Sequence, residues 1–589
     1  DNINMKTEWS LDVLYKGFDG EYKRDKEELE SLIEELKNYS SKLRDASQTE
    51  DELVKSIEYM ERYHLLSSKL MYYTELRQST NTSDSEIANE VNDIDKITSE
   101  SSKPLAMIKK YIAKFDNIEE LVKNNKKIKD YAYIISEIVR ESKHLLSDDA
   151  EDIIAKLNIS AGSAWGSLQS FLTSTLEVEY DGKIVTLSEI RNLAYDKDPK
   201  VRKSAYEAEL RAMDKIKDPV SFSLNNIKTQ VNTICDLRGY NSPLDMTLEL
   251  SRMNRDTLDA LMKAIEEYLP AFRRYLKHKA KILGHNNGLP WYDLFAPIGE
   301  SSRKYTIEEA REYLIKHFRS FSKDIADMIE EAFDKEWIDF NPRKGKVGGA
   351  FCENIPFAKE SRILTNFTGN FGDIVTLAHE LGHAYHGMMI QDHRPLNTDY
   401  SMPVAETAST FNEAIVMESA IKEAKGSERL ALIEDQLLNV TQIIVDIYSR
   451  YLFENSVFEK SKNSFLFPEQ LNELMIEAQK EAYGDGLDQD YLHPYMWVVK
   501  GHYYSENLSF YNFPYAFGGL FARGLYEKYK DEGEEFLPKY RALLNSTTIM
   551  SVENAAKQGE IDIEDPEFWR SSLASYEKMI DEFIKTEGP

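Results

Sequence analysis

The chain has 589 residues, of which 42% are hydrophobic and 30% are charged, and its formal net charge is −29. This length exceeds the size at which one hydrophobic core stops growing, so we expect more than one folded unit. The negative charge argues against nucleic acids and anionic membrane surfaces as partners, because both bind basic surfaces. With only 26 Gly and 17 Pro, the composition is that of a globular protein biased toward helix.

The cysteine content and the N-terminal segment give a prediction of cellular location. Cys235 and Cys352 are the only cysteines, too few for a disulfide framework. Residues 1–20 contain no cationic segment followed by an apolar run, and no run in the chain approaches eighteen apolar residues. These features predict a cytoplasmic protein without a membrane span.

The first part of the chain predicts helices followed by one hairpin. From residue 20 to about 172, apolar residues recur at spacings of three and four among charged residues, as in amphipathic helices. From Leu176 to Leu187 the pattern alternates around Asp181-Gly182, which predicts a β-hairpin with a two-residue loop. We therefore predict a helical N-terminal domain over residues 1–190 and a second domain over 191–589.

The pattern of the next 150 residues predicts more helices, from Asp198 to about Leu283 and from Ile307 to Phe340. The segment from Asn341 is rich in glycine, and Arg362 to Phe367 reads as a strand. We expect this strand to present a free edge, because a free edge offers backbone hydrogen bonds to an extended peptide. The predicted fold class is mainly α, multi-helical, with a small β-sheet.

The motif His379-Glu380-Leu381-Gly382-His383 predicts a metal site. A helix that begins at Asn370 or Asp373 places His379 and His383 one turn apart on one face, where both rings can bind a single zinc ion. Glu380 can then accept a proton from a water molecule that zinc has made more acidic. The pattern is typical of a zinc peptidase with one Zn²⁺ per chain.

A catalytic zinc ion usually has three protein ligands, and the sequence offers two candidates for the third. Glu406 lies on a predicted helix over Val404 to Ala424, and Glu413 on the same face can hold the second nitrogen of a ligand histidine. The alternative is His386, but three histidines over seven residues of one helix spread along about 10 Å of its axis. We favour Glu406 because a ligand from a second helix completes a tetrahedron more easily.

A dense group of aromatic residues between Tyr491 and Phe521 is called the aromatic segment below. Tyrosine hydroxyls and histidine N–H groups can stabilise the oxyanion that forms when a peptide bond is attacked. A packed aromatic core is the other interpretation of such a cluster. The residues that we predict to contact the transition state are His502, Tyr504, Tyr511 and Tyr515.

The sequences of residues 379–386 and 406–413 resemble the oligoendopeptidase F branch of the thimet oligopeptidase family. Residues 366–377 and 291–294 are similar to that branch as well, so the resemblance covers roughly residues 195–589. It implies a mostly helical zinc oligopeptidase with a deep channel between two lobes, which admits short unfolded peptides and excludes folded proteins. It also implies that His379, His383 and Glu406 bind zinc, and that Glu380 activates water.

Two other functions remain open at the level of the sequence. The same zinc site could serve a carboxy-terminal exopeptidase in which Lys500 or Arg523 binds the substrate carboxylate. A helical scaffold with a structural zinc ion would bind metal without turnover, although Glu380 argues against it. Our principal prediction is an endopeptidase that hydrolyses internal bonds of short peptides.

Overall fold

The computed structural model describes residues 6–300 and 303–586, with Asp152 described by its backbone alone. The chain forms two compact units, and each consists of separate segments. The first unit comprises Asp1–His144, Arg303–Val416 and Glu532–Glu560, and the second comprises Leu145–Ser302, Met417–Asp531 and Ile561–Pro589. The division of the sequence at residue 190 stays a prediction.

The first segment of the first unit is helical, as the spacing of its apolar residues predicts. Its helices pack around two apolar clusters, one of which includes Leu36, Ile57 and Tyr131, while the other includes Leu29 and Tyr73. The helices are α1 Glu21–Lys42, α2 Glu50–Thr80, α3 Ser85–Ser99, α4 Ser102–Ala113, α5 Ile118–Asn124, α6 Lys126–Asp130 and α7 Ala132–Ser142.

The second unit begins with two helices and the predicted hairpin. Asp181 and Gly182 have φ angles of 49° and 74°, the left-handed conformation that a tight two-residue hairpin loop requires at both positions. The hairpin prediction is therefore confirmed. This segment contains α8 Asp148–Asn158, α9 Gly162–Thr175, β1 Val178–Tyr180, β2 Lys183–Val185, α10 Leu187–Asn192, α11 Pro199–Asp214, α12 Lys217–Leu237, α13 Pro243–Leu250 and α14 Arg255–Ile282.

The chain returns to the first unit with helices, a small sheet and the helix that carries the histidine motif. The helices predicted as far as Phe340 end earlier, because Glu336 adopts a left-handed φ of 59° and a strand follows. The elements are α15 Ile307–Phe321, α16 Lys323–Asp334, β3 Ile338–Asp339, β4 Phe351–Ile355, β5 Glu360–Leu364, α17 Phe371–Ile390, α18 Met402–Ala405 and α19 Thr407–Glu423. The residues of α19 from Met417 onward are assigned to the second unit.

The small sheet corrects one expectation. Its strand order is β3-β5-β4, with β5 parallel to β3 and antiparallel to β4. The strand predicted at Arg362 is thus β5, which lies in the centre and has no free edge. The edge that could accept an extended chain belongs to β4 instead. Polar and apolar residues alternate less clearly in β4 than in a typical strand.

The remaining elements complete both units. Within the second unit, α14 packs along α27, the terminal helix, and α12 packs against α9. In the first unit, α17 packs against α25 and the sheet. These last elements are α20 Gly426–Thr441, α21 Ile447–Ser461, α22 Pro468–Tyr483, α23 Met496–Val499, α24 Phe513–Glu532, α25 Phe536–Ser546, α26 Val552–Gln558 and α27 Pro566–Lys585.

Candidate metal centre

The start of α17 determines which face of the helix the histidine motif occupies. The Asn370 side chain accepts a hydrogen bond from the Asp373 N–H (2.9 Å), and the Asp373 carboxylate accepts one from the Asn370 N–H (3.2 Å). This reciprocal capping box confirms the predicted helix start. Further along the helix, His379 and His383 lie one turn apart on the same face, with their ring centroids 5.0 Å apart.

The segment that carries Glu406 differs from its prediction. Instead of one helix over Val404 to Ala424, α18 ends at Ala405, and Glu406 interrupts the helix with φ −99° and ψ 10° before α19 begins. The Ser409 hydroxyl donates to Glu406 Oε2 over 2.7 Å. The break and this hydrogen bond hold the Glu406 carboxylate at the N-terminal end of α19.

The side chains of His379, His383 and Glu406 converge. Glu406 Oε2 lies 3.0 Å from His379 Nε2 and 3.2 Å from His383 Nε2. One ligand atom from each of the three residues lies within 4.8 Å of the other two. Two imidazole nitrogens and a carboxylate oxygen are a common ligand set of catalytic zinc ions, so the residues present fit the metal.

The electrostatics of the cluster favour a cation. Burial disfavours a charged His379 ring, but the carboxylates of Glu406 and Glu413 override burial and raise the pKa of His379 to about 10. Burial also raises the pKa of Glu406, but hydrogen bonds from His379 and His383 bring it well below its usual range. The two carboxylates therefore stabilise positive charge at the histidines, as a metal site requires.

Glu413 lies on the other side of the His379 ring. Its Oε1 atom is 3.2 Å from His379 Nδ1, while His379 Nε2 faces Glu406. A carboxylate at Nδ1 favours the tautomer whose Nε2 carries a lone pair toward a metal. Glu413 therefore lies beside the ring nitrogen that the sequence predicts it to hold, and the role itself stays a prediction.

Glu380 is the acidic residue of the motif, and its side chain is 6% exposed. Within residues 6–300 and 303–586, its Oε2 atom has no hydrogen-bond partner. Burial raises the pKa of Glu380, although the neighbouring His379 and His383 rings oppose this effect. A buried carboxylate oxygen without a partner lowers the stability of the fold, and such groups are common where a ligand binds or a reaction takes place.

His386, the alternative ligand, contacts other residues than those of this cluster. Its Nε2 atom is 2.8 Å from the Thr547 hydroxyl oxygen, and its ring stacks on Tyr400 with centroids 3.9 Å apart. Burial lowers the pKa of His386 to about 3, and the charge of His383 adds to this effect. The geometry therefore favours Glu406 over His386 as the third ligand.

Sequence reasoning missed two residues that join α17 to α19. The Asn412 side chain donates to the Ala378 carbonyl over 2.9 Å. Gly382 lies so close to α19 that an added Cβ atom would be 2.5 Å from both the Ala408 carbonyl oxygen and the Ser409 Cα atom. The small residues around Ala408 are the signal of this close approach, which brings Glu406 to the histidines.

We expect Gly382→Ala to lower the free energy of unfolding by about 1–3 kcal/mol, because the contacted atoms are backbone and must shift. It should also weaken metal binding, since the shift separates Glu406 from the histidines. Gly348→Ala is the matched control, because an added Cβ at Gly348 meets nothing within 4 Å. Urea unfolding of both variants measures the difference, and equal stabilities would contradict the proposed close packing.

The aromatic segment belongs to the second unit and contains a smaller cluster. The rings of His502 and Tyr511 stack with centroids 4.2 Å apart, and the Tyr511 and Tyr515 hydroxyl oxygens are 3.3 Å apart. Burial, together with the charge of Arg450, lowers the pKa of His502, whereas a hydrogen bond with Asn512 raises it. His502, Tyr511 and Tyr515 thus form one group of polar aromatic side chains.

Tyr504 is placed differently from these three residues. Its hydroxyl donates to the Trp497 carbonyl over 2.6 Å, and the side chain is 5% exposed. The hydroxyl is therefore used inside the second unit in this structure. The role predicted for the four residues as a set stays a prediction.

Comparison with known proteins identifies the class of the chain. Residues 192–574 match the family model described as Peptidase family M3, and residues 113–177 match the model described as Oligopeptidase F. The chain belongs to peptidase family M3. This confirms the resemblance that the histidine motif and residues 406–413 carry, and it makes the chain a metallopeptidase that hydrolyses peptides.

Individual relatives align over nearly the whole chain. Oligopeptidase PepF of Bacillus subtilis is 24% identical over 99% of this chain and 88% of its own length. An oligoendopeptidase F homolog of Lactococcus lactis is 26% identical over 99% of this chain and 98% of its own length. The match therefore includes the helical N-terminal part, which carries no sharp motif.

Solved structures share the fold. A crystal structure from Chlamydophila abortus has a TM-score of 0.86 at 19% identity and covers 99% of this chain and 98% of its own. Oligoendopeptidase-F of Enterococcus faecium has a TM-score of 0.70 at 19% identity and covers 96% of this chain and 98% of its own. The mainly helical fold class is confirmed. Among the described residues, no helix combines the length and apolar character needed to cross a bilayer.

Proposed function

We propose that this protein is a zinc-dependent oligoendopeptidase that hydrolyses internal bonds of short, unfolded peptides. One observation carries the proposal. The metal-binding atoms of His379, His383 and Glu406 converge, and the buried carboxylate of Glu380 follows His379 directly in the chain. This combination supplies both a metal site and a base for the hydrolysis of an amide.

The proposed metal is a single zinc ion per chain, held by His379, His383 and Glu406. When bound, it would polarise the scissile carbonyl and make a water molecule more acidic. Glu413 keeps the His379 ring oriented through Nδ1, and Ser409 keeps the Glu406 carboxylate in place. These two contacts reduce the reorganisation that metal binding requires.

Glu380 is the proposed general base and acid. Its carboxylate would take a proton from the attacking water and give that proton to the leaving amine. Burial raises the pKa of Glu380, and a raised pKa suits a carboxylate that must act first as a base and then as an acid. His502, Tyr504, Tyr511 and Tyr515 are the proposed oxyanion donors, and Tyr504 would first have to release the Trp497 carbonyl. The stacked His502 and Tyr511 rings support a shared role.

The substrate class rests on the relatives. Two of them are named oligopeptidase or oligoendopeptidase F, and these names favour short peptides as substrates of this chain also. The cytoplasm remains the proposed location, on the basis of Cys235 and Cys352 alone. The proposed partners are therefore short peptides, without nucleic acid or membrane.

The exopeptidase alternative depends on a cation that is available for a terminal carboxylate. Arg523 is already engaged, because it donates to the Ser575 hydroxyl (2.9 Å) and pairs with Glu527 (3.2 Å). Lys500 is the remaining candidate. Nothing in the histidine cluster restricts cleavage to a chain end, so we retain the endopeptidase as the proposed function.

We expect the enzyme to cleave a peptide whose N-terminus is acetylated and whose C-terminus is amidated, because an endopeptidase needs neither free end. The measurement is kcat at saturating peptide, with the cleaved bond located by mass spectrometry. Chelation should abolish the activity, and added zinc should restore it. Cleavage that requires a free C-terminus would favour the exopeptidase instead.

A further inference from the structure

A cavity of about 620 Å³ lies within the second unit, outside the metal centre. Its walls come from α9, α10 and α11, from residues 291–295 and from Val499-Lys500. Its volume falls in the range of about 300–1,000 Å³ that is typical of small-ligand pockets. We call it the Lys500 cavity.

The cations that line the Lys500 cavity are not equally paired. Arg191 pairs with Glu209 over 2.8 Å. Arg202 is buried and pairs with Asp293, also over 2.8 Å. Among the residues that the structure describes, no group forms an ion pair or a hydrogen bond with the ammonium group of Lys500. Lys500 therefore differs from Arg191 and Arg202, because its ammonium group has no ion-pair partner among the described residues.

The Lys500 side chain is partly buried, so water stabilises its charge less than it stabilises that of an exposed lysine. Burial lowers the pKa of Lys500 to about 8, and the positive charge of Arg450 lowers it further, while Asp446 and Glu209 oppose these effects. Burial of a charge costs free energy unless a counter-ion is present. An anion in the cavity would supply that counter-ion.

The other walls limit the kind of anion. The aromatic rings of Tyr195 and Phe295 line the cavity, with centroids 5.1 Å apart, and Tyr292 lies beside them. They suit the apolar part of an amino acid residue. Because one cation is unpaired and the Glu209 carboxylate also lines the cavity, a single negative charge fits better than a doubly charged phosphate.

We propose that the Lys500 cavity binds a carboxylate of the peptide, either the C-terminal group or an acidic side chain, and so favours carboxylate-bearing substrates. This inference rests on the proposed function for its choice of a peptide as ligand. It assigns Lys500 a role in substrate preference that is compatible with internal cleavage, because binding a carboxylate does not require the adjacent bond to be cut.

The test compares three peptides that differ only in charge. One is amidated and neutral, the second has a free C-terminus, and the third is amidated with Glu in place of one Gln. Binding is measured by calorimetry in the Glu380→Gln variant, so that turnover does not interfere. We expect at least one carboxylate peptide to bind about tenfold more tightly than the neutral peptide, as hydrogen bonds to charged groups do. The peptide that shows the preference identifies the source of the carboxylate.

Lys500→Met should remove this preference and leave binding of the neutral peptide unchanged, whereas Lys500→Arg should retain it. Lys578→Met is the matched control, because Lys578 is an exposed lysine of the same unit. Ala194→Trp fills the cavity without touching the charge and should also remove the preference. Equal binding of all three peptides, or an equal loss for all three in Lys500→Met, would overturn the inference.

The failure of this inference and that of the proposed function are distinguishable. If the unmodified enzyme cleaves no blocked peptide, the endopeptidase assignment fails while the binding preference can persist. If it cleaves all three peptides and Lys500→Met leaves their relative affinities unchanged, the carboxylate site fails and the endopeptidase assignment stands.

Discussion

Glu406→Ala is expected to lose its metal, whereas His386→Phe is expected to keep it. Glu406 is the residue whose carboxylate oxygen lies within 3.2 Å of both motif histidines. His386 instead contacts Thr547 and Tyr400, and phenylalanine preserves the ring that stacks on Tyr400. The loss of affinity in Glu406→Ala should exceed the roughly 10–100-fold that is typical when a residue beside a ligand is removed.

The measurement is the metal content of each purified variant, followed by a zinc titration in competition with a chelating dye. Activity should follow the metal, so Glu406→Ala should be inactive at zinc concentrations that saturate the unmodified enzyme. His386→Phe should lose about 1 kcal/mol of stability with its hydrogen bond to Thr547, and its zinc affinity should remain unchanged. The opposite pattern of metal loss would assign the third ligand to His386.

Much of the fold follows from local patterns in the sequence. The helices of the first 172 residues follow from apolar spacing, and the hairpin follows from Asp181-Gly182, because that pair adopts left-handed φ angles easily. The capping box at Asn370 likewise needs only two side chains and the adjacent backbone. Interactions of this kind involve residues close in the chain, so they can be read without knowledge of the tertiary structure.

The features that sequence reasoning missed depend on distant partners. The strand at Arg362 has the right composition, but its central position is set by pairing with β3, more than twenty residues earlier. The sequence around Glu406 does not predict the helix break there. The start of α19 packs closely against Gly382, and only small residues such as Ala408 and Ser409 allow this approach. The sequence also does not predict that the Tyr504 hydroxyl donates a hydrogen bond to the Trp497 carbonyl. A tyrosine in an aromatic stretch can lie in a core or at a surface, and the sequence does not distinguish the two.

In the candidate site, too, the local features could be predicted from the sequence and the features that depend on distant residues could not. The motif at His379 predicts two ligands and the base, because the spacing of one helical turn is sufficient. Glu406 needed a choice between two candidates, and the distances of 3.0 Å and 3.2 Å to the histidines now favour it. The sequence does not reveal that Lys500 lacks an ion-pair partner, because the carboxylates near it pair with Arg191 and Arg202, which are distant in the chain.

Glu380→Gln is the second variant with a large expected effect. Glutamine has nearly the same shape as glutamate but cannot accept the proton of the attacking water, so kcat should fall by about 10²–10⁴-fold. The metal should remain, since Glu380 is not among the three residues whose ligand atoms converge. Glu423→Gln, which changes an exposed glutamate of α19, is the matched control and should retain full activity.

The central claim is that Glu380 accepts a proton from the attacking water, while His379, His383 and Glu406 hold the metal. The most direct test measures metal content and turnover of a blocked, internally quenched peptide in the same preparation of Glu380→Gln. We predict close to one zinc ion per chain with turnover reduced by at least about 100-fold. Turnover at the rate of the unmodified enzyme in a zinc-replete sample would contradict the claim.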